Sequence, residues 1–286
     1  MRQTAIRCRC LIYEHQLNVE GRLIAALSTS ASVPDNPLLC LHGWLDNAAS
    51  FIPMMQAAPS LPWLAIDWPG HGGSAHREGH YHLVDYVDDL YGVQRLFDSK
   101  LSIVGHSLGG LVASIYAGSF PEKVRRLVSI EAVGPMAWPA ESAPQILRKA
   151  MISRRKQAVT KRCYHSIVDA VAARMAAQAC LPREAAELLV ERNLIKDGGR
   201  WYWRSDPKLR TLSPLRITSE QAEAWVRAIR CPTLIIEGQS GFQEVKLAIH
   251  ERLGWFADAR HKQLVGGHHL HMERGGDTVE LIRDFV

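Results

Sequence analysis

Residues Gly105-His106-Ser107-Leu108-Gly109 constrain this chain more than any other stretch. The pattern Gly-x-Ser-x-Gly follows an apolar run, Leu101-Ser102-Ile103-Val104, and precedes a segment of helical character, which puts the serine on a sharp strand-to-helix turn. Such a turn strains the serine backbone, and glycines on both sides remove the Cβ atoms that would collide there. It leaves a hydroxyl exposed at the end of a strand, with the N-terminus of its own helix pointing at any negative charge that develops beside it. This is the arrangement of a nucleophile elbow.

Strands to carry that turn are legible on both sides of it. Leu38 to Leu41, Trp63 to Ile66, Leu101 to Val104 and Leu127 to Ile130 are short apolar runs without alternation, the pattern of strands buried on both faces of a parallel sheet with crossover helices. Residues 11–28 read as an antiparallel pair turning near Glu20-Gly21. After Gly134-Pro135 the rhythm stops, and helical segments at 167–179 and 182–192 follow. The strand pattern returns at residues 231–236 and again at 262–265. The expected architecture is therefore α/β: a mostly parallel sheet flanked by helices, formed by residues 1–134 and 226–286, with a mainly helical cap inserted at 135–225.

At 286 residues, 47% hydrophobic and 22% charged, the chain is long enough for one large core carrying such an insertion. No apolar N-terminal region and no run long enough to cross a bilayer is present, so a cytoplasmic protein is expected. Six scattered cysteines without a Cys-x-x-Cys pair suggest neither a disulfide framework nor a zinc site, and Cys8 and Cys10 on one face of an extended segment fit a reducing compartment. The net charge of +5 is unevenly shared: residues 136–228 hold 17 Lys and Arg against 9 Asp and Glu, hence +8, leaving −3 elsewhere. That excess reads either as a solvated helical surface or as attraction for an anionic substrate, such as an acyl group on coenzyme A or on an acidic acyl-carrier protein. Arg154-Arg155 and Lys161-Arg162 concentrate it. No nucleic-acid-binding module is recognisable, and oligomeric state is not legible.

Two further segments carry chemistry. The strand ending at Leu41 runs into His42-Gly43-Trp44, whose backbone can aim the Trp44 amide at the serine; with the Leu108 amide it forms an oxyanion hole. Near the C-terminus, Gly266-Gly267-His268-His269-Leu270-His271-Met272-Glu273 follows the last apolar run, and any of its three histidines can supply a general base. The Gly-rich stretch Asp67 to Ser74 reads as a backbone turn. A His-x-His metal site lacks a carboxylate or third ligand at a recognisable spacing, so no metal and no organic cofactor is expected.

Taken together, His42-Gly43-Trp44, Asp67-x-x-Gly70-x-Gly72-x-Ser74, Gly105 to Gly110 and Gly267-His268 resemble the α/β-hydrolase superfamily in order and spacing over nearly the whole chain. The string His42 to Phe51 looks more narrowly like the serine hydrolase-like (kraken-like) branch. The resemblance implies hydrolysis with Ser107 as nucleophile, and it picks His268 as base because the family's histidine follows a glycine and stands five residues before a glutamate, here Glu273. His269 and His271 remain alternatives.

The chain departs from the family at the acid. Where most members place Asp in a Gly-x-x-Asp turn, Gly238-Gln239-Ser240-Gly241 has glycine. Glu131 is the replacement expected, because it closes the strand beyond the nucleophile's, where functional side chains of a parallel sheet collect. Ile130-Glu131-Ala132 also looks like the segment that bears the acid in haloalkane dehalogenases. Glu237 and Glu244 are its rivals. The expected activity is cleavage of a carboxylic ester or thioester of a small acyl substrate; the alternatives are hydrolysis of a carbon–carbon bond with the same triad, or a non-catalytic binding protein on this scaffold. Trp138, Trp201, Trp203 and Trp225 either line an acyl pocket or fasten the cap.

Overall fold

The computed structural model describes residues 11–156, 163–178 and 181–286. Cys8, Cys10, Cys180, Lys161 and Arg162 lie outside these. The strands are β1 (Tyr13–Val19), β2 (Arg22–Ser28), β3 (Leu38–Leu41), β4 (Trp63–Ile66), β5 (Leu101–His106), β6 (Val124–Ile130), β7 (Cys163–Tyr164), β8 (Leu194–Asp197), β9 (Arg200–Trp203), β10 (Thr233–Gly238) and β11 (Ala259–Leu264). Eight form one sheet in the order β1-β2-β4-β3-β5-β6-β10-β11. The β1-β2 and β2-β4 pairs are antiparallel; every other pair is parallel.

Strands β3 and β4 are buried along their whole length and β5 and β6 along most of theirs, which explains why they show apolar runs instead of alternation. Two clusters divide the core between the sheet faces. One gathers Leu39, Leu41, Ile66, Ile103, Val112 and Tyr116 beneath the helix that follows Ser107; the other gathers Cys40, Ala65, Val104, Val128, Ile236 and Phe51. This is the α/β-hydrolase fold.

Residues 135–225 hold helices Ala143–Lys156, Ile167–Ala177 and Arg183–Asn193, and also a three-stranded antiparallel sheet, β7-β9-β8, that the reading of the segment as mainly helical did not include. Its hairpin turns on Gly198 and Gly199, both at positive φ, between two four-residue runs. That Gly-Gly spacing is a hairpin signal available in the sequence. Trp201 and Trp203 pack this small sheet against Tyr164, Ala170 and Leu189, with Trp203 Nε1 donating to the Tyr164 hydroxyl. They fasten the segment internally. The boundary expected at 225/226 falls inside helix Ser219–Ala228, which packs against the helix after Ser107 so closely that a Cβ on Gly118 would overlap the Trp225 carbonyl.

Candidate active site

Ser107 sits between β5 and helix Leu108–Ser119 with φ 49° and ψ −116°, the strained conformation expected of the elbow. Its amide donates to the Ile130 carbonyl (2.9 Å), tying the turn to the end of β6. Gly109 faces the Leu41 carbonyl with no room for a Cβ, so the helix begins directly against β3. The serine is half-buried, and its hydroxyl has no hydrogen-bond partner among the described residues.

Glu131 and His268 meet across 137 residues of chain. Glu131 directly follows β6 at φ 53° and is 1% exposed. Its Oε2 accepts from His268 Nδ1 at 3.1 Å, while Oε1 accepts from the Gly238 amide (2.7 Å) and Oε2 also from the Phe242 amide (3.4 Å). Three donors thus converge on one carboxylate and fix its orientation. Holding the proton on Nδ1 leaves the Nε2 lone pair of His268 as the base. The ring lies flat on Phe242, with centroids 4.0 Å apart at 23°, and the His268 carbonyl accepts from His106 Nε2 at 2.8 Å. The residue before Ser107 thus holds His268 in place.

Gly241 explains the departure at the acid. A Cβ there would overlap both oxygens and the carboxyl carbon of Glu131. The space an Asp at 241 would fill is the space that Glu131 occupies, so the two acids exclude one another. The rivals lie elsewhere: Glu237 is bound to His261 Nε2 (2.8 Å) and Gln263 Nε2 (3.1 Å) of β11, and Glu244 is exposed at the start of helix Gln243–Arg252.

Trp44 lies in the loop after β3, whose Gly43 packs on the His106 ring, and Leu108 follows Ser107 at the start of its helix; neither amide donates to a protein acceptor among the described residues. His269 and His271 do not reach Glu131. His269 Nε2 bonds Asp46 Oδ2 (3.1 Å), and the buried His271 ring lies 4.1 Å from that of His106 and 5.5 Å from that of Phe51.

One group of possible metal donors occurs among the described residues: ligand atoms of Asp46, His106 and His269 lie within 4.8 Å of one another. Asp46 supplies the carboxylate that the His-x-His spacing lacked, but Arg174 already contacts its Oδ1 at 2.5 Å. A divalent ion would sit beside a guanidinium, so the cation this cluster suits is Arg174 itself. The carboxyl agrees: burial alone would raise Asp46, yet the His269 bond and the Arg174 charge outweigh it and hold the pKa well below the usual range.

Four buried histidines carry a pH signature. Burial lowers the pKa of His42, His106 and His271 and takes His71 down to about 3. Bonding keeps two of them neutral: His42 Nε2 accepts from the Trp68 amide while Nδ1 meets the Gly43 carbonyl, and His71 Nε2 accepts from the Leu45 amide while Nδ1 meets the Pro69 carbonyl. In the unfolded chain each takes a proton near pH 6.5. Below that value the unfolded state binds more protons than the native one, and stability falls at up to roughly 1.4 kcal/mol per pH unit for each histidine. Tm measured by calorimetry should drop clearly between pH 7 and pH 5, before the lowered carboxyls of Asp46 and Asp67 begin to titrate. A flat Tm over that interval would contradict the neutral buried cluster.

The α/β hydrolase fold family matches residues 36–152. A serine hydrolase-like protein of Dictyostelium discoideum is 28% identical over 283 residues, covering 92% of this chain and 78% of its own. An esterase of Mycobacterium tuberculosis is 28% identical over 275 residues, covering 93% and 87%. The crystal structure of a hypothetical protein of Pseudomonas aeruginosa superposes with a TM-score of 0.84 at 34% identity, covering 94% of this chain and 97% of that one. The chain belongs to the α/β-hydrolase superfamily, and serine hydrolase-like proteins are among its relatives. By the same relationships it is a hydrolase. No helix among the described residues is long and apolar enough to cross a membrane.

Proposed function

We propose that this chain cleaves a carboxylic ester or thioester through an acyl-enzyme on Ser107. The observation that carries the reading is the Glu131–His268 bond at the carboxyl ends of β6 and β11, with His268 tied through its carbonyl to His106, the residue before the strained Ser107. Ser107 Oγ attacks the acyl carbon as His268 Nε2 takes its proton; the imidazolium is stabilised by Glu131 and returns the proton to the departing alkoxide or thiolate. Water, deprotonated by the same Nε2, then releases the acid and regenerates Ser107. The uncommitted amides of Trp44 and Leu108 bind the tetrahedral oxyanion. A serine here, where dehalogenases and epoxide hydrolases of the superfamily use Asp, disfavours those activities. The ester reading is supported by the esterase among its relatives.

Residues 135–225 act as a cap in this reading. Arg174 reaches Asp46, Arg192 reaches Asp67 and Glu14, and Asn47 Nδ2 donates to the Leu189 carbonyl, so the segment is seated on the strand ends. Several of its cations are paired within the segment, as in Arg183 with Glu187 and Lys208 with Asp206. Arg148, Lys149 and Arg155 stay exposed on helix Ala143–Lys156, and they are the residues suited to draw in an acyl group on an anionic carrier.

One experiment tests both levels. A fluorophosphonate probe should label Ser107, and kcat/KM for a coenzyme A thioester should fall steeply from low to physiological ionic strength while the neutral ester of the same acyl group does not respond. Reversing Arg148 and Arg155 to Glu should remove that difference. Identical salt dependence for both substrates would reduce the basic excess to a solvated surface, and absence of labelling would remove the acyl-enzyme.

A further inference from the structure

Asp46 lies in the loop between β3 and the short helical turn Ala48–Phe51, two residues after Trp44, and is 2% exposed. Four segments converge on it. Its own loop is folded tightly: the Asp46 amide donates to the Gly43 carbonyl (3.1 Å), and Leu45 between them takes φ 62°. From the base loop, His269 Nε2 bonds Oδ2 at 3.1 Å. From the nucleophile strand, the His106 ring packs beside the same oxygen with Nδ1 3.8 Å away, a contact without a hydrogen bond, while its Nε2 donates to the His268 carbonyl. From the cap, Arg174 Nη2 contacts Oδ1 at 2.5 Å.

Each partner adjoins a group with a catalytic assignment. His106 precedes Ser107, His269 follows His268, and Asp46 itself stands on the loop that presents Trp44. The cap's contribution is paired: four residues after Arg174 on the same helix end, Gln178 Nε2 meets His269 Nδ1 at 3.3 Å, so one end of helix Ile167–Ala177 holds the oxyanion loop and the base loop at once.

Given the acyl-transfer reading on which it rests, we propose that Asp46 is a positioning residue that locks nucleophile, base and oxyanion loop in register, and that Arg174 makes this lock depend on the seating of the cap. Displacing a reacting group by about 1 Å can cost on the order of 10²-fold in rate. Asp46 touches no reacting atom, so its effect falls on kcat and not on substrate binding.

The test compares p-nitrophenyl acetate, the shorter acyl group, with p-nitrophenyl hexanoate, using enzyme whose folded fraction is measured by circular dichroism. Asp46→Asn should lower kcat on both esters by about 10²-fold with KM within about threefold, and slow fluorophosphonate labelling in parallel. Arg174→Gln should lower kcat by about 10-fold on both, and Arg174→Lys should recover part of that loss. The double variant should be no slower than Asp46→Asn, because both act through one contact. If Asp46→Asn fails to fold, Arg174→Gln and Gln178→Leu decide the matter. An unchanged kcat per folded molecule, or a loss confined to hexanoate and expressed in KM, overturns the lock while leaving Ser107 chemistry intact. A wild type that is neither labelled nor active removes the acyl-enzyme reading, and the proposal with it.

Discussion

Ser107→Ala is expected to reduce kcat on short activated esters by at least about 10³-fold and to abolish fluorophosphonate labelling, with Tm nearly unchanged. The size follows from the role: without an Oγ there is no acyl-enzyme, and His268 and the oxyanion amides can assist only direct attack by water. The fold should tolerate the change because the hydroxyl makes no hydrogen bond to the protein among the described residues, while the strain at φ 49° is held by the Ile130 carbonyl and the packing of Gly109 on Leu41. Purified variant assayed beside a mock preparation checks this. Turnover above the mock would take Ser107 out of the mechanism.

Glu131→Gln should lower kcat by about 10²- to 10⁴-fold, because a neutral amide cannot stabilise the imidazolium and can leave His268 in the wrong tautomer. Glu237→Gln and Glu244→Gln should be mild, since one is engaged with β11 and the other is exposed. The geometry adds a sharper expectation. Gly241→Ala changes no catalytic group, yet its Cβ must displace the Glu131 carboxylate from His268 Nδ1, so it should approach the loss seen in Glu131→Gln. Pairing Glu131→Gly with Gly241→Asp removes that clash and returns an acid to the turn after β10, which should recover part of the activity lost in Glu131→Gln. Full activity in Gly241→Ala would show that Glu131 does not support His268.

Much of the fold was legible because its signals are local. Strands buried on both faces are mostly apolar, so β3 and β4 stand out as unbroken runs and β5 and β6 as nearly apolar ones, and a serine at positive φ between strand and helix needs the small neighbours that the Gly-x-Ser-x-Gly spacing supplies. The strands β7 to β9 were missed. They are two to four residues long, too short for a period to show, and the Gly198-Gly199 turn was their one available mark.

The sequence by itself determined the class of chemistry: a strained serine, a late Gly-His, a vacant place at Gly241 and a carboxylate closing the next strand are properties of short segments. Only the tertiary structure decided how the three histidines divide their work. His268 turns to Glu131 across 137 residues, His269 to Asp46 across 223, and His271 into the packed interior beside Phe51. Nothing within Gly266 to Glu273 distinguishes these rings, because each orientation is set by a partner that a different strand or loop brings up. Asp46 and Arg174 were invisible for the same reason. A carboxylate and a guanidinium 128 residues apart become one buried ion pair only when the cap helix is laid over the strand ends, and no local pattern encodes that contact.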